Sequence, residues 1–173
     1  MTKKEFINAV ANGKVDVLQV FLDAVTQIGA GYCVIGGLAV NAYAEPVVSL
    51  DLDIVVAATD LEAVCQAVEN HFKIERFAHS LNLTSSESDL RIQLQTDSRY
   101  QDFIPNAKVR SVLGYEMKVA AVGDVLQGKI WAYSDEQRRR SKRQKDLADI
   151  LRLIEAYPDL VAKVPSKIHD KLA

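Results

Sequence analysis

The chain has 173 residues, of which 49% are hydrophobic and 25% charged, and its formal net charge is -2. These values are typical of one soluble globular domain, which at this length buries about 70% of the surface of its unfolded chain and needs no disulfide or structural metal. No uncharged run supplies the roughly 18 apolar residues of a membrane span, and the first residues lack a signal-peptide core. We therefore expect no membrane contact and a cytoplasmic location.

Two helices are predicted at the amino terminus, in residues 1–29. Thr2 and Glu5 stand three residues apart in the capping-box pattern that opens a helix. A second helix is predicted over Val17–Ile28, because apolar residues recur there every three or four positions until a glycine stops the pattern.

A strand, a glycine turn and a short helix are predicted next. Tyr32–Ile35 is apolar, mostly β-branched or aromatic, and is followed directly by Gly36 and Gly37. Leu38–Ala44 then suits a helix that stops before Pro46.

The segment Leu50–Val56 is predicted to be a strand with one apolar face. Leu and Ile side chains alternate there with Asp51 and Asp53, and alternate residues of a strand point to opposite faces. The two carboxylates are therefore expected to share the face opposite the core.

The remaining elements complete a mixed sheet and a helical tail. A second capping box, from Thr59 to Glu62, predicts another helix. The elements predicted after it are strands at Lys73–Ala78 and Leu90–Gln95 with the polar turn Thr84–Ser88 between them, a helical piece at Tyr100–Ile104, and edge strands near Val109 and at Met117–Ala120. Two apolar stripes then predict packed helices, the first beginning at Asp124 and the second ended by Tyr157 and Pro158.

The expected fold class is α/β (α+β), a mixed β-sheet flanked by helices with a C-terminal helical tail. No repeat and no linker divides the chain. We therefore expect a single domain over residues 1–173, with helices in 1–29, the sheet core in 30–120 and further helices in 121–173.

Cysteine and histidine do not predict a metal site. Cys33 and Cys65 fall on a predicted buried strand and on the apolar face of a helix, and free cysteine is commonly buried. The three histidines show no ligand spacing, so a zinc site is not expected.

Positive charge is concentrated in the segment 138–145, which reads RRRSKRQK. With its six basic residues removed from a total of -2, the rest of the chain carries -8. This asymmetry favours an anionic partner, whereas a solvated helix face whose cations pair with Glu136, Asp146 and Asp149 would explain it equally well. Both interpretations stay open from sequence.

The pattern most indicative of chemistry is the pair Gly36 and Gly37 followed by Asp51 and Asp53. Residues two apart on a strand have their bases about 6.6 Å apart on one face, so both carboxylates can bind the same hard cation, such as magnesium. Glycines let the backbone approach a triphosphate closely, because they carry no Cβ atom. Together these features predict a site for a nucleotide and its metal ion.

The segment IGGLAVNAYAEPVVSLDLDIVV resembles the signature of the DNA polymerase beta-like nucleotidyltransferase superfamily. The chain looks most like small bacterial nucleotidyltransferase-like proteins related to abortive-infection toxins, in which the residues matching Asp124–Leu126, Lys129 and Lys145–Asp149 recur. The resemblance implies transfer of a nucleoside monophosphate from a nucleoside triphosphate to a hydroxyl, with catalytic Asp51 and Asp53 holding Mg²⁺ or Mn²⁺.

The same resemblance implies further roles and leaves the acceptor open. Gly36 and Gly37 would bind the phosphates. Lys129 or a member of the basic segment 138–145 would neutralise the departing pyrophosphate, and of these we select Lys129 and Lys145. The acceptor could be RNA, a protein or a small molecule, and a protein partner or a homo-oligomer is also compatible with the sequence.

The chain departs from the superfamily at a third acidic position, where we align Gln93. A neutral amide oxygen is a weaker ligand for a hard metal than a carboxylate. Asp89 and Asp97 have the same strand parity but lie about 13 Å away along an extended strand, so either would need a bulge to substitute.

The sequence is therefore compatible with three functions. They are an active nucleotidyltransferase, a catalytically weakened nucleotide- or RNA-binding module, and a toxin-antitoxin-type interaction protein with a vestigial site.

Overall fold

The strands form one mixed, seven-stranded sheet in the computed structural model, which describes residues 1–173. In chain order they are β1 (Tyr32–Ile35), β2 (Asp51–Val56), β3 (Lys73–Arg76), β4 (Ser80–Ser85), β5 (Ser88–Gln95), β6 (Lys108–Val112) and β7 (Tyr115–Val119). Their order across the sheet is β3-β4-β5-β2-β1-β7-β6. β2 is parallel to β5 and β1 to β7, and all other neighbours are antiparallel. The predicted mixed sheet is confirmed.

Helices flank this sheet on both faces. They are α1 (Lys3–Val10), α2 (Val17–Gln27), α3 (Gly36–Val40), α4 (Leu61–Val68), α5 (Val122–Ser134), α6 (Arg140–Ala156) and α7 (Ser166–His169). Shorter 3-10 helices occupy Ala58–Asp60, Ser98–Asn106 and Pro158–Lys163. None of the helices combines the length and the apolar character that crossing a bilayer requires.

The amino-terminal helices begin at side-chain caps. The Thr2 hydroxyl accepts a hydrogen bond from the Glu5 amide at 3.2 Å, and the Glu5 carboxylate accepts one from the Thr2 amide at 2.6 Å. This is the predicted capping box, which satisfies amide groups that have no partner within the helix. Asp16 caps α2 by accepting a hydrogen bond from the Gln19 amide at 3.1 Å.

The capping box predicted at Thr59 is wrong. Thr59 lies in a 3-10 turn, and α4 begins at Leu61 without a side-chain cap. Asp60 stands before this helix, but its carboxylate instead accepts a hydrogen bond from the Gly31 amide at 2.9 Å. The Asp60 side chain thus connects this turn to the residue just before β1 and does not cap the helix that follows it.

The helix after the glycine turn is shorter than predicted. α3 begins at Gly36 itself and ends at Val40, because the Asn41 amide group donates to and accepts from the backbone of Val47. These two bonds, of 2.7 and 2.9 Å, hold the connection to β2 as a loop.

Two strand assignments also differ from expectation. β4 was not predicted, since only Leu81 and Leu83 alternate there with small polar residues. β7, expected at an edge, pairs with β1 inside the sheet and leaves β6 as the edge strand.

The two faces of β2 have opposite characters. Leu52 and Ile54 are fully buried on the face covered by α2 and α4. Asp51 and Asp53 therefore point to the other face, toward α3, α5 and α6, which contact one another. The strand alternation predicted from sequence is confirmed and places both carboxylates beneath these helices.

Candidate active site

A cavity of about 290 Å³ opens between the polar face of β2 and β5 and the helices α3, α5 and α6. It brings together five residues that the sequence singled out: Gly36, Asp51, Asp53, Gln93 and Lys129. Gly37 and Lys145 do not line it. Residues up to 93 positions apart in the chain thus meet at one site.

Gly36 allows the carboxylate of Asp53 to lie directly against the backbone. Its φ angle is +70°, a conformation that favours glycine. A Cβ atom here would overlap the Asp53 carboxylate and lie 3.0 Å from the Asp53 Cβ. Ile35, the residue before the turn, is in register with Asp53 on the neighbouring strand. A side chain at position 36 would therefore displace the carboxylate.

The two carboxylates differ in their partners. Asp51 is paired with Arg91, whose Nε lies 2.9 Å from Oδ1, and with Lys142, whose Nζ lies 3.3 Å from Oδ2. Asp53 has no ion pair and no hydrogen bond from the protein. Burial raises the pKa of Asp53, and the positive charge of Lys129 only partly offsets this effect. Asp53 therefore faces the cavity as a carboxylate whose charge is only partly compensated.

This donor set fits one hard divalent cation. Two carboxylates on one strand face, with an amide oxygen of Gln93 in register beside Asp53, provide oxygen ligands of the kind that Mg²⁺ and Mn²⁺ bind. No cluster of three or more Asp, Glu, His or Cys side chains suited to a metal occurs in the chain. The cavity holds one other carboxylate, Asp146, which Lys129 and Arg138 already engage.

No other acid replaces the neutral Gln93. Asp89 accepts a hydrogen bond from Asn12 at 2.6 Å, and Asp97 caps a 3-10 helix and pairs with Arg99 at 2.8 Å. Neither lines the cavity. β5 carries no bulge next to β2 that would bring them closer.

Lys129 lies in a buried cluster of charges beside Asp53. Its Nζ is 3.0 Å from Asp146 and 2.9 Å from Asp149, and Asp146 also binds Arg138 at 2.6 Å. Burial disfavours the charge of Lys129, but the carboxylates of Asp149 and Asp146 outweigh it and raise the pKa. The ammonium group is therefore charged and already engaged by two carboxylates.

The basic segment 138–145 divides between the cavity and solvent. Arg138 and Lys142 line the cavity, whereas Arg139, Arg140 and Lys145 are exposed. Of the acids expected to pair with the segment, only Asp146 does so, through Arg138. Of this segment, Lys142 and Arg138 thus line the cavity, and Lys145 does not.

An aromatic wall closes the cavity near α5. Tyr100 packs edge-on against Trp131, with ring centroids 5.1 Å apart, and Trp131 stacks on Phe103. A Cβ at Gly128 would lie 3.3 Å from the Tyr100 ring, so this glycine makes the close packing possible. Burial raises the pKa of Tyr100 to about 12, so its hydroxyl remains a neutral donor.

Asn82 adds a polar group that the sequence did not indicate. It lies on β4 in register with Gln93, which is itself in register with Asp53. The Asn82 Oδ1 atom is buried and has no hydrogen-bond partner. Its strand was not predicted, so no pattern in the sequence placed it beside the site.

Comparison with known proteins gives matches at the level of structure alone. No protein-family model matches the chain, and no curated protein matches it in sequence. ANT(2'')-Ia in complex with adenylyl-2''-tobramycin aligns with a TM-score of 0.64 and 14% identity over 91% of this chain and 97% of that chain.

Two further solved structures align with the fold of this chain. The lincosamide antibiotic adenylyltransferase LnuA, bound to lincomycin, aligns with a TM-score of 0.55 and 14% identity over 80% of this chain and 96% of that chain. An antigenic nucleotidyltransferase-like protein from Paracoccidioides brasiliensis aligns at 0.53 and 18% identity over 89% of this chain and 78% of that chain. At such identities the likeness establishes the fold.

Proposed function

From the nucleotidyltransferase fold of the chain, we propose that it transfers a nucleoside monophosphate from a nucleoside triphosphate to a hydroxyl, with Mg²⁺ or Mn²⁺. The observation that carries this proposal is Asp53, a carboxylate without a protein partner that lies against the Gly36 backbone and beside Asp51. A buried carboxylate whose charge is only partly compensated is costly unless a cation binds it.

We assign different roles in this reaction to different residues of the cavity. Asp51 and Asp53 would hold the metal, which supplies positive charge to the triphosphate and lowers the pKa of the attacking hydroxyl. The open backbone at Gly36 gives the phosphates room beside these acids. Phosphoryl chemistry of this kind depends mainly on position and charge, which the fixed strands provide.

Lys142 and Arg138 are the cations that we assign to the leaving pyrophosphate. Lys142 is half-exposed and its only partner is Asp51, at the longest ion-pair distance in the cavity. A metal on Asp51 removes the need for this contact and frees the ammonium group for phosphate oxygens. Lys129 instead positions α6 through Asp146 and Asp149.

Replacement of Lys142 by Met is expected to have opposite effects on two affinities. Binding of Mg²⁺ or Mn²⁺ alone should strengthen several-fold, because Asp51 loses a competing cation, while binding of the triphosphate with metal should weaken about tenfold. Isothermal calorimetry measures both. Lys145→Met, the same change on the exposed side of the same helix, is the matched control. Equal behaviour of the two variants would contradict the assignment of Lys142.

A nucleotide-binding module without transfer is the second candidate, and Gln93 is the observation that favours it. The residue stands in register with Asp53, where the superfamily resemblance implies a third acid. A metal held there by an amide activates a hydroxyl less strongly than one held by a carboxylate. Nucleotide would then bind without turnover.

Gln93→Asp separates these two candidates. A carboxylate in register with Asp53 should tighten metal binding by tenfold or more and raise any transfer rate, since a third hard ligand joins the pair. Metal titration of the variant and the original chain measures the change. If neither affinity nor rate increases, Gln93 does not stand at a metal position.

Other roles predicted from sequence remain proposals. A bacterial, cytoplasmic toxin-antitoxin-type interaction protein, or a homo-oligomer, would use surfaces outside the cavity. The exposed cations Arg139, Arg140 and Lys145 lie outside the cavity lining, and we expect a polyanionic partner to bind them. Neutralising these three should flatten the salt dependence of RNA or nucleotide binding, whereas an unchanged slope would favour a solvated helix face.

Transfer is tested with nucleoside triphosphates labelled at the α-phosphate. The full chain should release pyrophosphate and move the label to an acceptor in the presence of Mg²⁺ or Mn²⁺. Asp51→Asn should do neither. Nucleotide binding without release of pyrophosphate under all metal conditions would support the binding-module candidate instead.

A further inference from the structure

Asn82 Oδ1 is the one buried side-chain oxygen or nitrogen in the chain that lacks a hydrogen-bond partner. Buried polar groups in native proteins are almost always paired, because an unpaired one loses its hydration without compensation. Asn82 lines the cavity that contains Asp51 and Asp53. A hydrogen-bond donor on a bound ligand would supply the partner that Asn82 Oδ1 lacks.

The register fixes where such a ligand would lie. Asn82, Gln93 and Asp53 occupy one row across β4, β5 and β2, and their side chains share the cavity face. Neighbouring strands are about 4.8 Å apart, so Asn82 stands about 9.6 Å from Asp53. This span accommodates the reacting hydroxyl and about one sugar-sized ring beyond it.

The two sides of Asp53 have different chemistry. Toward β1 and α6 lie the Gly36 turn and the cations Arg138 and Lys142. Toward β4 lie amides, those of Gln93 and Asn82. An in-line displacement places the attacking oxygen opposite the leaving pyrophosphate. If the triphosphate binds on the side of Gly36, Arg138 and Lys142, the acceptor must bind on the opposite side, next to the amides of Gln93 and Asn82.

The amide side of the cavity is lined by no carboxylate that lacks a cation. Asp51 is paired with Arg91 and Lys142, and the β3 acid Glu75 is paired with Lys73 at 2.9 Å. A polycationic acceptor would find Arg91 and no acid to receive its amines. Amides both donate and accept hydrogen bonds and therefore suit neutral hydroxyl groups.

We infer that the β4–β5 face is the acceptor subsite, and that the acceptor is an uncharged, hydroxyl-bearing sugar ring from which Asn82 Oδ1 accepts a hydrogen bond. The ring could belong to a free nucleoside or sugar, or to the terminal ribose of an RNA. This inference rests on the proposed transfer reaction and adds the class of acceptor to it.

The bonds in the step balance without a further reactant. One ring hydroxyl oxygen forms a bond to the α-phosphorus, and the bond from that phosphorus to the bridging oxygen of the β-phosphate breaks. The bridging oxygen keeps the electron pair and leaves with the pyrophosphate. The hydroxyl proton passes to solvent.

The test uses the full chain, an α-labelled triphosphate that binds it, Mg²⁺, and three acceptor probes. Adenosine and a short RNA ending in adenosine present the neutral ribose free or in a polymer, and tobramycin presents sugar rings with several amines. Label should pass to one or both ribose probes at least tenfold faster than to tobramycin. The two ribose arms identify the source of the ring.

Variants of Asn82 then test the residue itself. Asn82→Leu should raise the KM for the ribose probe about tenfold and leave nucleotide affinity unchanged, since one hydrogen bond to the acceptor is lost. Asn82→Asp, nearly identical in shape, should shift the preference toward tobramycin. Thr84→Val, on the same face of β4 but outside the cavity, is the control and should change neither value.

Each outcome decides the inference. Labelling of tobramycin as fast as ribose overturns it, and so does binding of nucleotide and metal without labelling of either ribose probe. An unaltered KM in Asn82→Leu removes Asn82 from the subsite. Failure of the chain to bind any triphosphate with metal overturns the proposed function as well, which distinguishes the two failures.

Discussion

Asp53→Asn is expected to abolish metal-dependent nucleotide binding and to lower any transfer rate by about 10³-fold or more, while raising the melting temperature of the metal-free chain. The loss of activity follows because Asp53 is the cavity carboxylate that has no ion-pair partner and is free to hold the cation. The gain in stability follows because burial raises the pKa of Asp53, so that folding disfavours its charge.

Asp51→Asn is the matched control for this effect on stability. Asp51 already has two cationic partners, Arg91 and Lys142, and the substitution leaves both without their carboxylate. It should also abolish metal binding, but without raising the melting temperature. Thermal unfolding and calorimetric Mg²⁺ titration of the two variants measure the difference. Unchanged metal binding in Asp53→Asn would remove this residue from the site.

Asp146→Ala is expected to cause the largest loss of stability, about 3–5 kcal/mol, or roughly 10 °C in melting temperature. Asp146 is 1% exposed and binds both Lys129 and Arg138. Removing it leaves a buried ammonium group with only part of its compensation, and buried charges are costly when a partner is lost.

A double substitution tests whether the cluster is structural. Lys129→Met with Asp146→Leu removes both buried charges, and the loss of stability should then be much smaller than in Asp146→Ala alone. Arg138 is 37% exposed and can turn to solvent, while Asp149 keeps Arg152 at 2.8 Å. Denaturant unfolding of the single and double variants measures the coupling free energy between Lys129 and Asp146. Additive losses would contradict a direct pairing of Lys129 with Asp146.

The part of the site formed by β1, the glycine turn and β2 was predictable because its signals are local. Alternation along Leu50–Val56 sets the face of Asp51 and Asp53, and Gly36 follows directly after an apolar strand. These patterns depend only on strand geometry, so no knowledge of distant contacts was needed. The register of Gln93 with Asp53 likewise agrees with the position aligned from sequence.

The helical side of the site was harder to predict, because charge alone did not show which cations turn inward. The buried residues of α6 are Asp146, Ile150 and Leu153, and Lys142 lies one turn before Asp146 on the same stripe. Lys145 lies beside this stripe and is exposed. Helical spacing measured from Asp146 would have indicated Lys142, whereas Arg138 precedes the helix and is outside this pattern. Asn82 could not be found in this way, because it depends on the pairing of the unpredicted β4.

The most direct test of the central claim is a thermal-shift screen of the four nucleoside triphosphates, each with and without Mg²⁺ or Mn²⁺. Ligands that bind the native state raise the melting temperature through mass action. The account predicts that at least one triphosphate stabilises the chain only when metal is present, and that Asp51→Asn loses this shift. No shift with any triphosphate and metal at millimolar concentration would contradict it and indicate a vestigial site.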